Sequence, residues 1–119
     1  MSEALTATDT SSKEYVVGEV SYVVSEKVMG FVKTARTKCG DASPIELLKV
    51  AAAQPGANEE VLKGLFVYGR FELNIRPKDL GELMRSKGVN SSQHFFKEVC
   101  GKAVLYWQKV SPSDPRRTR

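Results

Sequence analysis

Four consecutive polar side chains, Asn90, Ser91, Ser92 and Gln93, are the residues of this chain best suited to reading a pattern of hydrogen-bonding groups. Asn and Gln each carry a donor and an acceptor on one planar amide, which matches an adenine edge, and a serine hydroxyl reaches either a base or a phosphate. Lys97 and Lys102 follow where they would meet phosphates further along, and Arg116, Arg117 and Arg119 put three guanidiniums into the last four residues. Acid–base and nucleophilic chemistry have no comparable basis. His94 is the single histidine, and no second His, Cys or serine–base arrangement accompanies it. Glu59 with Glu60, and Asp79 with Glu82, are accounted for by helix starts, where the N-terminal dipole favours carboxylates. Gly64, Gly69 and Gly81 are isolated glycines and make no phosphate-cradling loop. Cys39 and Cys100 are far apart and, with one histidine, do not supply the ligand set of a zinc site. The chain therefore reads as a non-enzyme, with no catalytic residue, no metal ligand and no cofactor.

Length and composition bound the reading. A chain of 119 residues is enough for one domain around one core. Its 41% hydrophobic and 27% charged content is that of a globular protein, which argues against wholesale disorder. A net charge of +4 and a pI near 9.1 favour an anionic partner. The two cysteines read as half-buried thiols in a reducing compartment. The N-terminal residues 1–12 have neither a basic region nor an apolar run of the signal-peptide kind. No apolar stretch is long enough to span a membrane. An intracellular protein is expected.

The elements that must position the polar quartet follow from spacing and punctuation. Residues 1–12 lack periodicity and read as a disordered tail, although Ser11 and Glu14 have capping-box spacing. Val16, Val20, Val24, Val28 and Val32 recur every fourth residue, which predicts one helix across Tyr15–Lys38. A strand over Tyr15–Val24 followed by a helix is the alternative. Ser43-Pro44-Ile45-Glu46 is the clearest helix start, with Ser43 at the N-cap and Pro44 in the first turn. Gln54-Pro55-Gly56 ends that helix. Asn58 caps the next, predicted to run to about Tyr68 or Phe71, and Pro77 starts another that Gly88 stops. Asn90, Ser91 or Ser92 should cap the last helix, which reaches about Val110 and lays Phe96, Val99, Ala103, Trp107 and Val110 along one face. Residues 111–119 read as a basic flexible tail. The predicted fold is mostly all-α, about five helices forming a single domain over 13–110 between disordered ends.

The stretch DLGELMRSKGVNSSQHFFKEV resembles the helix-turn-helix family of DNA-binding modules over about 20 residues. Leu83 and Met84 sit where the family's buttressing helix packs, Gly88 at its turn, and Val89 where an apolar residue follows. Counted from Gly88, the buried register of the second helix meets Phe95, Phe96 and Val99 only if the turn is a residue or two longer. The resemblance implies that Asn90, Ser91, Ser92 and Gln93 lie at the exposed start of the second helix, facing base edges in a major groove, with Lys97 and Lys102 on phosphates. Arg116, Arg117 and Arg119 would add sequence-independent affinity.

The function expected is that of a small basic nucleic-acid-binding protein, a helix-turn-helix transcriptional regulator that takes DNA, with RNA as the other candidate. A homo-oligomer is expected, because small helical domains bury little surface alone. The alternatives are a structural subunit, such as a small viral nucleocapsid or coat-like protein, and a helical adaptor for other proteins.

Overall fold

A computed structural model describes residues 12–110. Among them the chain forms a strand β1 (Lys13–Val17), a strand β2 (Val20–Val24) and helices α1 (Glu26–Cys39), α2 (Pro44–Ala52), α3 (Glu59–Phe71), α4 (Pro77–Ser86) and α5 (His94–Val110). The fold is thus mostly α. Helix α3 is its axis. Asn58 accepts from the Val61 amide at its N-terminus, and Glu59 and Glu60 occupy the first turn, as a capped helix start requires. Beyond that turn the residues are apolar on nearly every side, and an all-round apolar helix belongs in a core. Leu65, Phe66, Val67, Tyr68 and Phe71 are all buried.

The other helices dock on α3. Ser43 caps α2 by accepting from the Glu46 amide, with Pro44 in the first turn as expected. Gln54 Nε2 donates to the Phe31 carbonyl at 2.9 Å, and Arg36 donates to the Tyr68 hydroxyl at 2.9 Å, so α1 is tied to both of its neighbours. The glycines of α3, which weaken a helix taken alone, make room here. A Cβ on Gly64 would lie 2.6 Å from Val28 Cγ2, and one on Gly69 would lie 2.8 Å from Leu48 and 2.9 Å from Leu80. Val28 is buried and β-branched, so it cannot rotate clear. Gly64→Ala should therefore destabilise the protein by up to about 2 kcal/mol in a urea melt, because overpacking of about 1–3 kcal/mol outweighs the helix-propensity gain of about 1 kcal/mol.

One helix across Tyr15–Lys38 is not what forms. Residues 13–24 make an antiparallel hairpin, with Tyr15 opposite Tyr22 and Val17 opposite Val20, and the helix begins only at Glu26. Gly18 has φ 59 and takes the first position of the two-residue turn, a place that favours glycine. Glu14 lies in β1 opposite Val23, so no helix starts with it, and Ser11 lies outside the described residues. Ser25 caps α1 by accepting from the Val28 amide.

The hairpin turns its inner face to α3 and α5. Tyr15 stacks on Phe71 with ring centres 5.2 Å apart, and Tyr22 lies 5.3 Å from the same ring. The Tyr15 hydroxyl donates to Glu72 Oε1 at 2.9 Å. Burial pushes the Tyr15 phenol far above its ordinary range, with the Glu72 carboxylate adding to the rise, and burial with Glu98 raises Tyr22 as well. The fold holds these protons after the unfolded chain has released its own. This stability is complete below the unfolded value of about 10 and is lost as pH rises beyond it. Urea melts should show unfolding free energy falling by up to about 1.4 kcal/mol per pH unit on account of Tyr15 above about pH 10, and Tyr15→Phe should flatten that slope.

Candidate nucleic-acid interface

Helix α4 ends in a motif legible in its sequence. Gly88, at φ 82, donates to the Arg85 carbonyl at 3.0 Å, and Val89 donates to the Met84 carbonyl at 2.9 Å. That is the Schellman pair of bonds, with the residue after the glycine buried against the core. The chain then continues through Asn90–Gln93 before α5 begins. Asn90 Oδ1 accepts from the Ser92 amide at 2.9 Å, closing a local turn. The Gln93 carbonyl accepts from Phe96 at 3.1 Å, which opens the helix.

The last helix accordingly starts at His94, not at Asn90–Ser92, and the polar quartet sits in the connecting turn. The local side-chain bond of Asn90 holds the backbone in a turn in place of a first helical turn. Asn90 and Ser92 are exposed, and Ser91 and Gln93 are half-buried. On α5, Phe96, Val99, Ala103 and Trp107 are buried along one face as the spacing predicts. Both α4 and α5 lean on α3, and Phe66 of α3 meets Phe96 with ring centres 4.6 Å apart.

Between α4 and α5 lies a cleft of about 460 Å³. Pro77, Lys78, Gly81 and Arg85 form its α4 wall. Phe96, Lys97 and Cys100 form its α5 wall, Ser91 closes one end and Phe66 reaches it from α3. Its three charged lining residues are Lys78, Arg85 and Lys97, and no carboxylate lines it. Arg85 Nη1 donates to Ser91 Oγ at 3.0 Å, which fixes the guanidinium at the mouth. A further cation lies behind the wall. Arg70 is 4% exposed, its Nη1 donates to the Ile75 carbonyl at 2.7 Å, and its Nε has no acceptor among the described residues. Burial lowers its pKa and pushes the Cys100 thiol up, while the proximity of the two works against both shifts. Guanidinium stays charged in proteins, so this site adds unpaired positive potential beside the cleft.

A larger hollow of about 640 Å³ lies between α2 and α4, but Asp79 and Glu82 offset Lys49, Arg76 and Lys87 there, and Arg76 already pairs with Asp79 at 3.1 Å. It lacks the one-signed lining of the cleft. No group of three or more His, Cys, Asp or Glu among the described residues could hold a metal ion. Both cysteines are free and half-buried.

Of the residues singled out in the sequence, Ser91 and Lys97 line the cleft, whereas Asn90, Ser92, Gln93 and Lys102 do not. Arg116, Arg117 and Arg119 lie outside the described residues, as do the expected tails apart from Ser12. Lys78, Gly81 and Arg85 were not foreseen as a site. Their spacing of three and then four residues puts them on one helix face, a stripe that reads as ordinary solvated surface until a second wall faces it. No family model matches this chain, and neither a curated protein nor a solved structure does. No helix among the described residues is long and apolar enough to cross a membrane.

Proposed function

We propose that this protein binds nucleic acid by its phosphates, in the cleft between α4 and α5. The observation that carries the reading is the convergence of Lys78, Arg85 and Lys97 on a hollow without a lining carboxylate. A one-signed concave surface focuses potential and draws a polyanion. Three phosphate contacts would release counterions and give a log affinity against log salt slope of about −2 on a single strand and nearer −3 on duplex. Fluorescence anisotropy between about 50 and 200 mM salt tests this, and salt-independent binding, or none, ends it.

The transcriptional-regulator form of this reading rests on the helix-turn-helix resemblance and on the exposure of Asn90 and Ser92 in the turn. It expects Gln93→Ala to relax preference among duplex DNA sequences, and Arg116→Ala with Arg117→Ala to weaken binding to all of them alike. Equal losses on every sequence from both changes would argue against base reading. A second reading, self-association as a dimer or assembling subunit, draws on Val16, Val23, Val104 and Leu105, which are 49–59% exposed. Light scattering with and without nucleic acid separates a discrete dimer from assembly.

A further inference from the structure

We infer that the occupant of this cleft is a single nucleic-acid strand, seated between α4 and α5 with its phosphates on Lys78, Arg85 and Lys97. The inference rests on the nucleic-acid reading above and makes its ligand specific. Shape is the first argument. To read a duplex, a helix must stand proud of the surface and enter a groove about 12 Å wide. Here the cations line the walls of a recess, and Phe66 and Phe96, each 2% exposed, lie at its base. A duplex is itself a convex cylinder and can only rest across such a recess, whereas an extended strand can enter it. A volume of about 460 Å³ lies in the range of small-ligand clefts, so it would take a stretch of strand of roughly nucleotide size.

The second argument is what α5 presents at its leading end. His94 is followed by Phe95, which is half-buried beneath Lys63 Nζ at 5.5 Å from the ring centre, and then by the buried Phe96. Glu98, 42% exposed at its side chain, adds a negative charge one turn after His94. In the preceding turn, Asn90 Oδ1 is bonded to the Ser92 amide and Ser91 Oγ to Arg85. Two of the turn's side-chain acceptors are thereby already engaged by the fold itself. The cleft instead pairs cations with apolar and thiol surface, the combination that holds a strand's backbone while a base or sugar packs against the wall. Lys78 and Arg85 are seven residues apart on α4, about 10 Å of helix, which suits separate phosphates of one strand.

The full chain should be titrated with labelled oligothymidylate, with oligouridylate and with duplex DNA of matching length at the same salt. The strand inference expects one of the single strands to bind about tenfold or more tightly than the duplex, with a salt slope near −2. Cys100 supplies a local readout. A bound strand should slow its alkylation and leave that of Cys39, at the far end of α1, unchanged. Gly81→Leu supplies a charge-neutral block, because a Cβ there points at Arg85 and Ser91 from 3.5–3.6 Å; it should lower strand affinity about tenfold with an unaltered circular dichroism spectrum. Duplex binding as tight as single strands would overturn the inference and leave the nucleic-acid reading standing. Failure of all three ligands at low salt would overturn the nucleic-acid reading itself. Strand binding that leaves Cys100 unprotected and ignores Gly81→Leu would remove the strand from this cleft.

Discussion

Phe71→Ala should lower the unfolding free energy by about 3–5 kcal/mol, the range for emptying a buried phenylalanine site. Phe71 is 1% exposed and is the ring on which three elements converge. Tyr15 of β1 stacks on it at 5.2 Å, Tyr22 of β2 lies at 5.3 Å, and Tyr106 of α5 meets it edge-on at 5.2 Å. The surrounding rings are stiff and are held by their own contacts, so the cavity would not collapse cheaply. The hairpin has two strands only, and an isolated pair of strands is marginal in water. Its order depends on this docking. Amide exchange in 13–24 should accelerate in Phe71→Ala more than exchange in α2, which contributes no ring to the aromatic cluster. A loss below about 1 kcal/mol, or exchange that rises evenly across the chain, would mean that the hairpin is not anchored at Phe71.

The same hairpin explains where sequence reasoning went astray. A spacing of four residues fits a helix, whose period is 3.6, but it is also a multiple of the strand's period of two. Val16, Val20 and Val24 therefore could not choose between the forms. The decisive signal was the pair Gly18-Glu19 between two alternating apolar runs, the pattern of a short hairpin turn. A helix across Tyr15–Lys38 would instead have to carry Gly18 in its interior, at a cost of about 1 kcal/mol relative to alanine. The two-residue turn also reverses parity across the hairpin. Tyr15 and Val17 face inward on β1, while Val20, Tyr22 and Val24 do so on β2, and Val16 is left 55% exposed where a helical stripe would bury it.

Elsewhere local chemistry was sufficient. Ser43, Asn58 and Gly88-Val89 mark helix ends through bonds that short-range sequence can specify, and the structure makes them, while Pro77 starts α4 through its fixed φ alone, with no side-chain cap. The cleft was less legible because it is a tertiary object. Lys78 and Arg85 become a site only when α5 brings Lys97 to the opposite wall, and that approach is set by Phe66 and Phe96 on α3 and α5. The polar quartet drew notice for its composition, but the Asn90–Ser92 bond spends part of it on the turn itself.

The largest functional effect should come from reversing charge on both walls at once. Lys78→Glu with Lys97→Glu should reduce affinity for a single strand by about 100-fold, and its salt slope should fall from about −2 toward −0.7 as two of three phosphate contacts disappear. At moderate salt each lost contact accounts for about fivefold, and placing carboxylates against phosphates adds repulsion. Both lysines are exposed, so the unfolding free energy should move by no more than about 0.5 kcal/mol. Lys78 lies in the first turn of α4, where a carboxylate is the favoured charge. The double reversal also removes the chain's whole net charge of +4, so a global effect must be separated from a local one. Lys27→Glu with Lys33→Glu makes the same change on exposed positions of α1 that do not line the cleft. Long-range attraction alone would weaken binding equally in the two variants. Contact in the cleft requires the Lys78/Lys97 variant to lose about tenfold more than the α1 variant, because charges beyond a Debye length of about 8–10 Å are largely screened.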